Sequence, residues 1–166
     1  MKLFKNLKKN QKGFTLIELL VVIGILAVLL AITLIAINPA RQFAQANDTK
    51  RSSDVNAILN AVNQYMADNK GALPTGISSC TAAAPCTLTN NAAVTPGVDI
   101  CATLVSDYLA ALPVDPLTNN GTAVTEANCA ASTYNTNYTI YQSASNNRVT
   151  VSAPAVEIAG SISVTR

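Results

Sequence analysis

Apolar residues are concentrated at one end of this chain. From Leu19 to Ile37 nothing is charged, and Gly24 and Thr33 are the only non-aliphatic residues. Adding Phe14 to Ile17 brings the segment to 24 residues, with Glu18 set inside it. A bilayer core needs about 20 apolar residues as helix, so this segment is long enough to span. After Ile37 the pattern changes. Arg41 to Lys70 is polar, yet Val55, Ile58, Leu59, Val62, Tyr65 and Met66 recur at helical i, i+3, i+4 steps. Asp48, Lys50, Arg51, Asp54 and Asp68 fall on other faces. The expectation is an amphipathic helix burying one stripe on its own domain. The alternative, a coiled-coil partner, needs three or more sustained heptads.

Between these two helical segments stands Asn38-Pro39. Proline removes a backbone donor and kinks or ends a helix, and the residue before it is biased away from helix. A bend or break is expected there. Gly71 suits a helix C-cap, and Pro74 prevents continuation.

The C-terminal part reads as strands. Tyr138-Thr139-Ile140-Tyr141 and Arg148-Val149-Thr150-Val151 flank Asn146-Asn147, which tolerates turn geometry. Ser161 to Thr165 alternates and adds a third strand. A short helical pattern, Ile100, Leu104, Val105, Leu109 and Leu112, stops at Pro113. The fold class expected is α+β: a long N-terminal helix, hydrophobic and then amphipathic, with a small C-terminal antiparallel sheet. The boundaries read as 1–13, 14–37, 38–70 and 71–166. No internal repeat is visible.

All four cysteines, Cys80, Cys86, Cys101 and Cys129, lie in the last of these segments. Four cysteines in a small exported domain suggest disulfides. Three pairings are open, and the one favoured here is Cys80–Cys86 with Cys101–Cys129. Zinc is the alternative, but the chain has no His and no Cys-x-x-Cys pair.

Charge adds the next layer. Lys2, Lys5, Lys8, Lys9 and Lys12 supply five of the 11 Lys and Arg, and no acid stands among them. Cytoplasmic flanks of membrane helices are enriched in Lys and Arg, so this flank is expected to stay inside. A secretory signal peptide has an apolar region of roughly 7–15 residues and a small-residue cleavage site. The apolar run here is longer, and Ala36-Ile37-Asn38-Pro39-Ala40 is a poor cleavage site. Gly13, just before the apolar segment, is the better place for a cut from the cytoplasmic side. Glu18 then acquires a role. An acid in a membrane segment is costly and usually paired. A cut after Gly13 makes the Phe14 amine a cation, one helical turn from Glu18. Glu18 neutralises that cation within its own subunit or in a neighbour; at the helix end it instead reaches the lipid headgroups. The neighbour pairing would make the charge a register device.

The stretch Lys12-Gly13-Phe14-Thr15-Leu16-Ile17-Glu18-Leu19-Leu20-Val21-Val22-Ile23, with its basic leader and long helix, resembles the type IV pilin family, including the pseudopilins of type II secretion. The resemblance in detail covers Met1 to about Pro74. It implies that a membrane aspartyl peptidase cuts after Gly13 and N-methylates Phe14. It further implies that Phe14, Thr15 and Glu18 serve assembly, with Glu18 complementing the Phe14 amine of an adjacent subunit. The partners implied are identical or homologous pilin subunits, the prepilin peptidase/N-methyltransferase, an inner-membrane assembly platform, and lipid before assembly. The family's helix bend often falls earlier than Pro39. A turn like Leu112-Pro113-Val114-Asp115-Pro116 recurs in the family, in some members before a calcium loop. Calcium takes six to eight oxygens, several from carboxylates. Asn119, Asn120 and Glu126 follow without an acid cluster, so a structural turn is expected at Asp115, with calcium as the alternative.

Composition narrows function. Without the leader, six Lys and Arg stand against nine Asp and Glu. The mature surface is mildly acidic, and no nucleic-acid-binding face is expected; Lys50, Arg51 and Arg148 read as solvated, with local contact the lesser reading. With no His, no Trp and 12% charged residues, most acid–base and metal mechanisms lack parts. No enzyme activity and no cofactor are expected. The function expected is a structural subunit, made as a single-pass inner-membrane precursor with its leader in the cytoplasm and assembled into an extracellular or envelope filament. The alternatives are a pseudopilin or competence pilin, and a membrane-anchored binding domain that never polymerises.

Overall fold

The computed structural model describes residues 13–166; residues 1–12, most of the segment read above as a leader, lie outside the described residues. The chain divides into two units, one ending at Gln42 and the other spanning Phe43–Arg166.

In the first unit, α1 (Leu16–Ile37) is a 22-residue helix with no buried residue. It is the one helix among the described residues long and apolar enough to cross a membrane. Asn38 ends it in the left-handed conformation, φ 46° and ψ 79°. The next helix, α2 (Pro39–Asp68), begins at once. Asn38 serves both ends. Asparagine tolerates the left-handed C-cap position, and its Oδ1 and main-chain oxygen both accept from the Arg41 N–H, at 3.4 Å and 3.1 Å. Pro39 then sits at the first helical position, where its missing N–H costs nothing. The proline therefore starts a helix.

In the second unit, the rest of α2 buries Val55, Ile58, Leu59, Ala61 and Val62. The expected stripe is there, but the same helix also buries Asp48 and Arg51. Those two were placed above on faces other than the buried stripe, and Arg51 was read as solvated; their burial corrects that reading. Gly71 closes the helix by donating its N–H to the Met66 carbonyl at 2.7 Å.

Five strands form one sheet: β1 (Cys86–Thr89), β2 (Gly97–Val98), β3 (Asn135–Gln142), β4 (Val149–Ala153) and β5 (Ile162–Thr165). Their order is β2-β1-β3-β4-β5, with every pairing antiparallel except β1 with β2. The fold is α+β, with an apolar helix followed by a sheet that is mainly antiparallel. Strand β3 alternates, so Thr136, Tyr138 and Ile140 point into the core and their neighbours stay half-buried. Tyr138 and Ile140, with Leu88, Val149 and Val151, share one core with the α2 stripe.

The pattern read above as one helix over 100–112 resolves differently. Only Cys101–Leu104 (α3) is helical. Ser106 then takes φ 82°, and Val105 bridges to Leu109. Ile100, Leu104, Val105 and Leu112 are nevertheless buried. The apolar spacing marked core positions correctly, but a left-handed turn at Ser106 replaced the helix between them. A second short helix, α4 (Glu126–Ala131), carries Cys129.

Cys80 is bonded to Cys86 and Cys101 to Cys129. The second bridge closes a sequence separation of 28 residues and ties α3 to α4. Loop-closure entropy for that length is worth about 3–4 kcal/mol.

Candidate functional site

Two constellations stand out, one in each unit. The first is the start of α1. Gly13, Phe14 and Thr15 precede the helix, and Phe14 is 84% exposed. A methyl group added at Gly13 would meet nothing within 4 Å among the described residues. Thr15 is the N-cap and Glu18 the third helical residue, and together they form a complete capping box. Glu18 Oε2 accepts from the Thr15 N–H and from the Thr15 hydroxyl, both at 2.8 Å. The Thr15 hydroxyl accepts from the Glu18 N–H at 3.3 Å. A helix start leaves orphan N–H groups, and this reciprocal arrangement satisfies two of them. The other oxygen, Glu18 Oε1, has no partner among the described residues. The carboxylate is thus held in place by one oxygen and open at the other.

The second constellation surrounds Arg51, whose side chain is fully buried. Its Nε and Nη2 donate to the two oxygens of Asp115 at 2.7 Å and 3.2 Å. Its Nη1 donates to Asp48 Oδ1 and Glu157 Oε1, both at 2.8 Å. Asp48 in turn accepts from three successive N–H groups, those of Glu157, Ile158 and Ala159, at 2.8–3.1 Å. One arginine therefore joins three places: α2, the Pro113–Pro116 turn and the segment before β5. The planar fork of arginine matches a carboxylate with two parallel bonds, which lysine cannot do.

Electrostatics follow the geometry. Burial by itself would push the Asp48 carboxyl up, but the three N–H donors and Arg51 outweigh it and hold it far below its ordinary value of 3.8. Asp115 raises the affinity of Arg51 for its proton, burial opposes this, and Glu157 and Asp48 add to it. The linkage has a definite sign. A depressed carboxylate contributes stability that is complete above the unfolded value, near 3.8, and is lost as pH falls toward the folded value. Thermal unfolding of the protein should therefore shift to lower temperature steeply below about pH 4, and Asp48→Asn should flatten that drop while lowering stability at pH 7. Melting curves at a series of pH values check both. A variant that keeps the full acid dependence would remove Asp48 from the cause.

The structure corrects one reading and specifies another. Arg51 was grouped above with solvated cations; it is an internal ion-pair centre. Only Asp48, three residues back on the same helix, is a local partner; Asp115 and Glu157 lie 64 and 106 residues away in sequence. Asp115 lies in the turn where calcium was the alternative. Both of its oxygens accept from Arg51, and Oδ1 also accepts the Leu117 N–H at 2.9 Å. No group of three or more His, Cys, Asp or Glu among the described residues is placed to hold a metal ion. The turn is thus built around a guanidinium. Lys50, next to Arg51 in sequence but exposed, pairs with Asp54 at 2.6 Å.

Comparison with known proteins bears on the first constellation. Residues 8–34 match the model of the prokaryotic N-terminal methylation motif. The chain is 43% identical over 61 residues to the type IV wide pilus major component PilA4 of Thermus thermophilus. That alignment covers 37% of this chain and 45% of the relative, so the chain spans less than half the length of the curated relative it matches. No solved structure matches.

Proposed function

We propose that this chain, a member of the type IV pilin family by its N-terminal motif and its likeness to a pilus component, is a subunit of a type IV pilus or pilus-like filament that assembles through α1. The single observation that carries this reading is α1 itself: a 22-residue apolar helix with no residue buried, opened by a glutamate with one oxygen unpartnered among the described residues. Such a surface needs lipid or copies of itself. Lipid satisfies the aliphatic side chains but not the carboxylate.

The geometry supports a sequence of events. The precursor sits in the inner membrane by α1, with its basic leader in the cytoplasm. A prepilin peptidase cuts the Gly13–Phe14 bond and methylates the new Phe14 amine. The capping box uses the Thr15 amide and hydroxyl, neither of which the cut removes, so Glu18 stays oriented through processing. Its Oε1 then receives the Phe14 amine of an adjacent subunit. An assembly platform in the membrane brings the copies together. In this reading Gly13 and Phe14 are the cleavage and methylation residues, and Phe14, Thr15 and Glu18 the assembly residues. A pseudopilus or competence filament uses the same parts.

Mass spectrometry of the protein recovered from sheared surface material tests the proposal. The expected species begins at Phe14 and carries one added methyl group. Electron microscopy of the same material should show filaments. An intact leader, or mature protein that stays membrane-bound without filaments, points instead to an anchored binding domain.

A further inference from the structure

Beyond residue 37, the large hydrophobic side chains left exposed among the described residues are Phe43 at 71%, Leu117 at 66% and Ile158 at 44%. All three belong to the second unit. They are far apart in sequence, yet each is attached to the Arg51 network. The Leu117 N–H donates to Asp115 Oδ1 at 2.9 Å, and Arg51 clamps Asp115. The Ile158 N–H donates to Asp48 Oδ2 at 2.8 Å, and the other Asp48 oxygen accepts from Arg51. Phe43 stands one turn before Asn47 on the same face of α2. The Asn47 side-chain amide donates to Glu157 Oε1 at 2.8 Å, which ties that face of the helix to the Ile158 loop. One buried guanidinium thus holds in place two loops that each present an exposed aliphatic side chain.

Apolar residues scattered singly over a surface need no explanation. These three keep to one network, and its charge narrows what covers them. Arg51 brings one positive charge against the three negative charges of Asp48, Asp115 and Glu157. The Glu157 side chain remains 29% exposed. Anionic lipid headgroups are repelled by such a surface. An apolar partner with a cation beside it suits it better, and the chain itself supplies one. Every other exposed large hydrophobic among the described residues lies in residues 14–37. The last of these, Ile32, Leu34, Ile35 and Ile37, are followed closely by Arg41. Arg41 is exposed and enters no ion pair among the described residues.

We propose that Phe43, Leu117 and Ile158 dock a second copy of the chain, which lays residues 32–37 of its α1 against them and its Arg41 beside Glu157. The inference rests on the reading of the chain as a filament subunit, and adds which surface of one copy covers the apolar helix of the next. Phe43 is the aromatic anchor, the kind of side chain that carries most of the attraction in an interface. The charge pair sets orientation more than affinity. Because hydrogen bonds to the Arg51 network hold the Leu117 and Ile158 loops, little ordering cost is left for docking.

The test uses the full chain as filaments, with Phe43→p-benzoylphenylalanine as a photo-reactive probe. Filaments mixed from light and heavy-isotope-labelled subunits are irradiated, digested and mapped by mass spectrometry. The expected adduct joins the probe of one copy to residues 32–37 of another. Filaments whose adducts fall on the second unit of a neighbour, on the probe's own α1 or on lipid overturn the proposal, as do filaments without adducts. None of these results touches the assembly reading, because the filaments are there. Absence of filaments from the unsubstituted chain ends that reading, and this one with it. Arg41→Glu, outside the second unit, should raise the share of subunit released from filaments in mild detergent by about tenfold. Ser53→Ala, on an exposed face of α2, should leave that share unchanged. Release from Arg41→Glu filaments equal to that of the parent overturns the pairing with Glu157.

Discussion

Glu18→Ala should leave the chain inserted and cut but without filaments. The substitution makes α1 more apolar, so lipid holds it at least as well, and it leaves Gly13 and Phe14 themselves unchanged. What is lost is the acceptor for the neighbour's amine. Filament yield should fall by at least about tenfold, the ratio that one modest contact per subunit sets. Removal of Glu18 also removes the capping box, and a second variant separates the two effects. Glu18→Gln keeps the box, because glutamine returns the same bond to the N-cap N–H, but carries no charge. If the charge is the register device, Glu18→Gln fails as Glu18→Ala does. Filaments from Glu18→Gln would assign the role to the cap, and filaments from Glu18→Ala would end the proposal altogether. Counting filaments against processed subunit in membranes reads all three outcomes.

The largest effect on the second unit is expected from Arg51→Leu. The leucine fits the volume of the stem but strands Asp115, which is 0% exposed, and Asp48, which is 8% exposed. Breaking a buried ion pair by removing one partner costs about 3–5 kcal/mol, because the remaining charge stays buried and uncompensated. For a unit of this size that is on the order of 10–20 °C in melting temperature. Arg51→Lys should recover part of it, since an ammonium neutralises but does not bridge three carboxylates at once. Circular dichroism melts of the full chain in detergent measure this. A melting temperature unchanged by Arg51→Leu would mean that the three carboxylates are satisfied by water and backbone alone. The α1 helix should be unaffected, as none of its residues is buried.

The contrast between these two residues shows what a sequence displays. Glu18 is conspicuous because its whole neighbourhood is apolar; a charge there needs a reason before any coordinate is known. Arg51 sits in a polar helix where charges are ordinary, and its reason lies in Asp115 and Glu157. Burial of a polar side chain is a property of the fold, and no local pattern carries it. The strands divide in the same way. Strands β3 to β5 were legible because they alternate over several residues and flank a turn at Asn146-Asn147. Strands β1 and β2 were not, being four and two residues long and set among Thr, Cys and Ala without clear alternation. Asn38-Pro39 was legible as a discontinuity, but its sense was not: the same dipeptide that ends α1 caps and starts α2.

The Asp48 carboxylate accepts from residues 157 to 159, across 109 to 111 positions of chain. Contacts that distant are slow to form, because loop closure must precede any gain from them. A chain emerging residue by residue meets Arg51 early and Glu157 late. Until the late segment arrives, Asp48 lacks its three main-chain donors and Arg51 one of its three acids, so this part of the core stays wet. Completion of this network is thereby tied to the order of synthesis: until residues 157–159 are out, Asp48 has none of its main-chain donors from them and Arg51 lacks Glu157.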